Sequence, residues 1–341
     1  RSNRLTVIGT SPDSIRSELD AYLAGEPTAA IQSGLAPGLT DAKLVMVFPG
    51  QGSQWIGMGH GLIEREPVFA ASINRLDAAF SKHVDWSLRA VLTGELDYDW
   101  RDRLDVLQPV LVAVEIALAE LWASWGIRPA RVIGQSLGEI AAAFVAGILD
   151  EPDMALLACH RGNVVARAAG KGTMAVVSLS RAAVQERLSA FGGRVEVAGI
   201  NSPTTTIVSG DRREVSTLVE SLESEGLFAR LLAVDFASHC FQMDPLLEDF
   251  HAGIAGIEPR AGKIPFHSTV DGMKGFVNVL GPDYWVQNLR SAVAFDSGVG
   301  GAIEEGGEIF LEVSPHPALP RAIDEISQSV GGTSRYVSSL T

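Results

Sequence analysis

Cysteine is scarce in this sequence: Cys159 and Cys240 are its only two in 341 residues. So few thiols in a chain this long exclude a disulfide framework and point to a reducing, cytoplasmic setting. No cysteine–histidine cluster has zinc-ligand spacing, so no metal is expected. Basic residues are also short, 27 Lys and Arg against 41 Asp and Glu, for a net charge of −14. That balance argues against general nucleic-acid binding. No run of 18 or more apolar residues occurs, so neither a membrane span nor a membrane partner is expected. The first residues, Arg1-Ser2-Asn3-Arg4, lack the apolar stretch of a signal peptide and read as a cut inside a longer polypeptide.

What is present is an ordinary α/β composition, 46% apolar and rich in glycine, with enough length for a large core and more than one domain. The stretch that organises it is Gly134-Gln135-Ser136-Leu137-Gly138. An apolar strand end, 130–133, precedes it, and a small-residue helix, 137–147, follows. A serine at such a junction sits on a sharp turn with its hydroxyl exposed, and the helix N-terminus turns free N–H groups towards it. A glycine-rich βα turn with no chemistry gives the same pattern, so the rest of the chain must supply a base.

Along the chain, residues 4–24 read as a strand and an amphipathic helix, and 25–42, without periodicity, as a linker. Residues 43–48 (KLVMVF) form a continuous apolar run, the mark of a strand buried on both faces. The loop Pro49-Gly50-Gln51-Gly52-Ser53 then lies at a strand's C-terminal end, where open α/β sheets bind ligands. Residues 60–95 look helical, and 105–125 form a long apolar helix ended by Gly126. Between 173 and 235 the order becomes βαββαβ, a ferredoxin-like subdomain inserted into the core. The expected fold is therefore a hydrolase-like α/β core with a mostly parallel sheet, 43–171 and 236–330. The ferredoxin-like part is 172–235, the end of a preceding linker subdomain is 1–42, and a C-terminal linker is 331–341.

A serine nucleophile needs a base, and histidine is the usual one. His239 sits at a break between strand and helix, flanked by small residues, with His316 and His267 as rivals. No acidic residue obviously completes a triad; a backbone or amide oxygen near Asn288 could orient the imidazole. Arg161 lies in an otherwise apolar helix. There it either snorkels, pairs with a carboxylate, or clamps the carboxylate of a dicarboxylic half-thioester.

FPGQGSQW (48–55), GQSLGEIAAAFVAG (134–147), HRGN (160–163), AGKGTMA (169–175), FASHC (236–240), YWVQNLR (284–290) and EVSPHPAL (312–319) occur in that order. In them the chain resembles the acyltransferase domain of a modular type I polyketide synthase, within the malonyl-CoA:acyl-carrier-protein transacylase family. The resemblance implies Ser136 as nucleophile and His239 as base. It places the oxyanion hole at the N–H groups of Gln51 and Leu137, and assigns Arg161 to a malonyl-type carboxylate. Asn288 would help hold His239, and Gln135, Phe236 and Ser238 would line the substrate. It implies a ping-pong transfer from acyl-CoA to the phosphopantetheine thiol of an acyl carrier protein. No bound cofactor is required, and neighbouring synthase domains would share the polypeptide.

Two departures bear on the acyl group. Gln135 stands where the family usually has His. Members that choose methylmalonyl often carry Tyr-Ala-Ser-His at the base, and those that choose malonyl His-Ala-Phe-His; here the run is Phe236-Ala237-Ser238-His239. Leu137 is not the Gln common in the methylmalonyl group. These marks conflict, and they also fit a starter-loading domain for monocarboxylic acyl groups, against which Arg161 argues. An acyl-thioester hydrolase would use the same nucleophile. An acidic carrier would need a local basic patch on this acidic domain, for which Arg181, Arg187, Arg212 and Arg213 are candidates.

Overall fold

The structure, a computed structural model, describes residues 3–26, 28–35, 43–96, 99–273 and 280–340. The chain forms two compact units, Arg1–Ala42 and Lys43–Thr341. In the first, strands β1 (Asn3–Val7) and β2 (Ile31–Leu35) pair antiparallel, joined by the helix Pro12–Leu23. Ser11 begins that helix with a capping box, accepting from the Ser14 N–H. The 25–42 stretch reads as linker throughout, yet it contains β2; Pro27 and residues 36–42 of it lie outside the described residues.

The larger unit is built on a parallel sheet. Its strands are β3 (Lys43–Phe48), β4 (Arg131–Gly134), β9 (Phe266–His267), β11 (Gly307–Glu312) and β12 (Arg335–Ser338), in the order β12-β11-β3-β4-β9. Every pairing in it is parallel. Val45, Met46, Val47 and Phe48 of β3 are fully buried, as its unbroken apolar run requires. The helix Leu104–Ser124 is long and apolar enough to cross a membrane, but 83% of its apolar window is buried inside this domain, so it is the core helix. It packs against the helices Pro67–Phe80, Gly138–Val145 and Glu151–Ala166.

The inserted part has the expected βαββαβ order: β5 (Gly172–Val177), a helix Arg181–Leu188, β6 (Val195–Ser202), β7 (Thr205–Asp211), a helix Arg212–Ser224 and β8 (Ala229–Leu231). With β10 (Val293–Ala294) at one edge, its sheet runs β10-β6-β7-β5-β8, antiparallel except for its first pair. Two local expectations need correction. The small sheet is not closed within 172–235, because β10 (Val293–Ala294), from the resumed core, pairs with β6. Nor is the 331–341 segment simply a linker, since β12 adds an edge strand to the core sheet beside β11. Both strands are too short to show a pattern of their own; a neighbouring sheet edge with free backbone groups creates them.

Candidate active site

Ser136 lies in the short turn between β4, which ends at Gly134, and the helix Gly138–Val145. The turn is tight because two glycines permit it. A Cβ on Gly134 would lie 2.2 Å from the Glu139 backbone, and one on Gly138 would lie 2.0 Å from the Phe48 carbonyl oxygen. Ser136 itself has φ 53°, and His239 has φ 58°. Among the described residues these are the only non-glycine positions in the left-handed region. Each costs on the order of 1–3 kcal/mol and persists because its surroundings over-determine it. The strain falls on the two residues that the sequence assigns as nucleophile and base.

The side chains of this pair meet. Ser136 Oγ lies 2.7 Å from His239 Nε2. His239 Nδ1 lies 2.9 Å from the Ser291 carbonyl oxygen, so Nδ1–H donates there and Nε2 is left to accept from the serine. Burial, reinforced by the positive charge of Arg161, lowers the pKa of His239 to about 3, so the ring is neutral. The rival histidines lie elsewhere: His316 is exposed in a groove beside Trp55, and His267 faces Glu305 behind the sheet.

Arg161 projects from the buried helix Glu151–Ala166 into the same place, its helix held close to the core helix by Gly162. Among the described residues it pairs with no carboxylate: Nη1 donates to Gln108 Oε1 (2.8 Å) and Nη2 to Ser136 Oγ (3.1 Å), while Nε has no partner. Burial lowers its pKa to about 10, opposed by the negative charge of Glu139. Gln108 in turn donates to Gln51 Oε1 (2.9 Å), which fixes the loop after β3. Sequence reasoning passes over Gln108; its signal is a polar amide beside Pro109 in an otherwise apolar helix.

These groups line one cavity of about 350 Å³. The small sheet supplies its other wall, with Met174, Val176, Ala198, Ile207 and Leu232, and the core returns with Phe236 and Ser238. Gln51 and Leu137 line it as well, and among the described residues neither backbone N–H has a protein acceptor. Gln135 donates to Asn201 Oδ1 (3.0 Å), linking the serine turn to β6. Ser238 directs its hydroxyl at Met174 Sδ (3.5 Å).

Among the described residues Asn288 makes no hydrogen bond to His239, contrary to expectation. Its Nδ2 donates to the Ser136 carbonyl oxygen (3.1 Å) and to Glu139 Oε2 (2.8 Å), so it braces the nucleophile's turn, and the backbone at Ser291 orients the imidazole. The basic patch is also largely spent. Arg181 is paired with Asp271, Arg187 with Glu225, and Arg212 donates to the Gly172 carbonyl.

A serine hydroxyl beside a neutral imidazole, two N–H groups without a protein acceptor among the described residues, and a guanidinium with one unpartnered nitrogen around one cavity suit acyl transfer. Residues 45–339 match the family model of the acyl transferase domain. The chain is 40% identical over 333 residues to the polyketide synthase GfsE of Streptomyces halstedii, covering 96% of this chain and 9% of that protein. The acyltransferase domain from module 8 of the salinomycin polyketide synthase superposes with a TM-score of 0.93 at 38% identity, over 99% of this chain and 80% of that one. A loading acyltransferase from the avermectin modular polyketide synthase superposes with a TM-score of 0.83 at 37% identity, over 87% of this chain and 94% of that one. The chain thus spans 9% of the curated relative it matches and 80% and 94% of the two acyltransferase chains, and it belongs to the family of acyltransferase domains of modular type I polyketide synthases.

Proposed function

We propose that this domain takes a malonyl-type acyl group from acyl-CoA onto Ser136 and passes it to the phosphopantetheine thiol of an acyl carrier protein. The observation that carries the reading is Arg161, a buried guanidinium in the cavity beside Ser136 with, among the described residues, one nitrogen unpartnered and no carboxylate bonded to it. Such a group favours an acyl chain that brings its own carboxylate, because a fork of N–H donors matches a carboxylate in charge and geometry.

In the first half-reaction Ser136 Oγ attacks the thioester carbonyl and its proton passes to His239 Nε2. The negative charge on the carbonyl oxygen is met by the N–H groups of Gln51 and Leu137 and by the N-terminus of the helix Gly138–Val145. The C–S bond then breaks, and CoA leaves as a thiol with the proton from His239. In the second half the carrier thiol gives its proton to His239 and attacks the acyl ester, and Ser136 recovers its own proton. Neighbouring domains of the same polypeptide would present the carrier.

A second reading is the loading of a monocarboxylic starter. It draws on the apolar wall formed by the small sheet and on the likeness to the avermectin loading domain. Intact-protein mass after brief exposure to malonyl-, methylmalonyl-, propionyl- and isobutyryl-CoA separates the two, with Ser136→Ala as control. Serine-dependent adducts with the dicarboxylic donors support the first reading; adducts with the monocarboxylic donors alone overturn it in favour of the second. Adding carrier protein then distinguishes transfer from hydrolysis.

A further inference from the structure

Glu139 is the third residue after the nucleophile, and it is completely buried. Its carboxylate accepts from Thr269 N–H (2.6 Å), Thr269 Oγ1 (2.8 Å), Tyr284 OH (2.6 Å) and Asn288 Nδ2 (2.8 Å). Burial raises its pKa, and those same donors draw it back down. The Asn288 amide that it holds is the one that grips the Ser136 carbonyl, at a backbone position that is strained. Glu139 and Arg161 are both buried and both tied to Ser136, one through Asn288 to its carbonyl and the other directly to its hydroxyl, yet among the described residues no hydrogen bond or ion pair joins them, and the guanidinium is left to Gln108 and Ser136.

We propose that Glu139 is the positioning residue of this active site, with two separable effects. Through Asn288 it keeps the Ser136 turn in its attacking conformation. Through its charge it balances Arg161 at a distance, without taking the place that a substrate carboxylate needs. This rests on the assignment of Ser136 and Arg161 above. A direct Glu139–Arg161 pair would satisfy the buried cation fully and close it to substrate. A carboxylate held off by four other donors keeps the cation in the site while leaving its free face open. The same arrangement has a cost, since an acyl carboxylate arriving at Arg161 enters the field of a second negative charge.

The test is Glu139→Gln, which keeps the shape, removes the charge and turns one acceptor into a donor. Single-turnover acylation of Ser136 is followed by intact-protein mass, with malonyl-CoA and propionyl-CoA. The maximal rate is expected to fall about tenfold to a hundredfold with both donors, because the serine turn loosens. The half-saturating concentration is expected to fall several-fold for malonyl-CoA and to stay unchanged for propionyl-CoA, because only malonyl loses a like-charge neighbour. A residue that merely supports the fold would move both donors alike. Equal shifts for the two donors, or a wild-type rate, overturn the proposal. Tyr284→Phe removes a single donor to Glu139 and is expected to reproduce the lower rate more weakly; an unchanged rate there also counts against it, including where Glu139→Gln does not fold. Wild-type protein that takes propionyl-CoA as readily as malonyl-CoA would instead break the Arg161 assignment, whatever the variants do.

Discussion

The two walls of the acyl cavity are built on different principles. The core wall lies at the C-terminal end of a parallel sheet and is polar and crowded, with Ser136, Arg161, Gln108 and Gln51 linked to one another by hydrogen bonds. The wall from the small sheet is an antiparallel face of Met174, Val176, Ala198, Ile207 and Leu232. Parallel strands end in loops and helix N-termini that point at one place, so they can gather chemistry. An antiparallel face offers alternate side chains on a stiff backbone, so it can shape an apolar volume. On the proposed function, rate is expected to belong to the first wall and choice of acyl chain to the second, with Arg161 as the exception that serves both.

The sharpest way to break that division is at the serine. Ser136→Ala is expected to abolish the covalent adduct with every acyl-CoA, checked by intact mass. His239→Ala should slow acylation by roughly 10²- to 10⁴-fold without changing the order of donor preference, read from single-turnover rates. A changed order would show that the base also selects.

In the wild type the acylation rate should vary little above about pH 5, since the base is already neutral there, its pKa held at about 3 by burial and Arg161. That value lies below the ordinary 6.5, so the unfolded chain binds the extra proton first. His239 should therefore contribute full stability above 6.5 and lose it as the pH falls towards 3, seen as a falling melting temperature.

Arg161→Ala tests the exception. It should weaken dicarboxylic donors by about 2–5 kcal/mol while leaving propionyl-CoA as good or better, measured as kcat/KM. Loss of both would mean that Arg161 serves the serine more than the substrate. The smallest expected effect is on the apolar wall. Ile207→Ala enlarges the cavity from the small-sheet side and should shift preference towards longer acyl branches by about 1–3 kcal/mol, with Ser136 acylation by the best donor otherwise preserved. A general loss of rate from Ile207→Ala would break the division of labour between the walls.

Much of this site is legible in the sequence. The glycines at 134 and 138, the apolar run of β3 and the break at His239 are local signals, and local sterics translate them directly into a strained turn, a buried strand and a reaching histidine. Pairing Ser136 with His239 takes family resemblance as well, because texture alone leaves His316 and His267 open. Asn288 belongs to the expected centre but meets a different partner. A helix position says which face a side chain occupies, and it does not say whether the amide meets an imidazole or the carbonyl of the serine turn.

The sequence by itself therefore determined the fold class, the nucleophile's turn and the family, since each is written in short-range spacing and in patterns of burial. Tertiary structure alone decided the rest. A backbone oxygen near Asn288 is among the sequence-based alternatives for orienting His239, and the structure decides that it is Ser291's, since a backbone group carries no side-chain signature to single it out. Gln108 bridges Arg161 and Gln51 across 53 and 57 residues of chain. Glu139 is held by Thr269, Tyr284 and Asn288, 130 to 149 residues further on. Those contacts depend on where helices and loops come to rest against one another, and periodicity in a single segment cannot encode that.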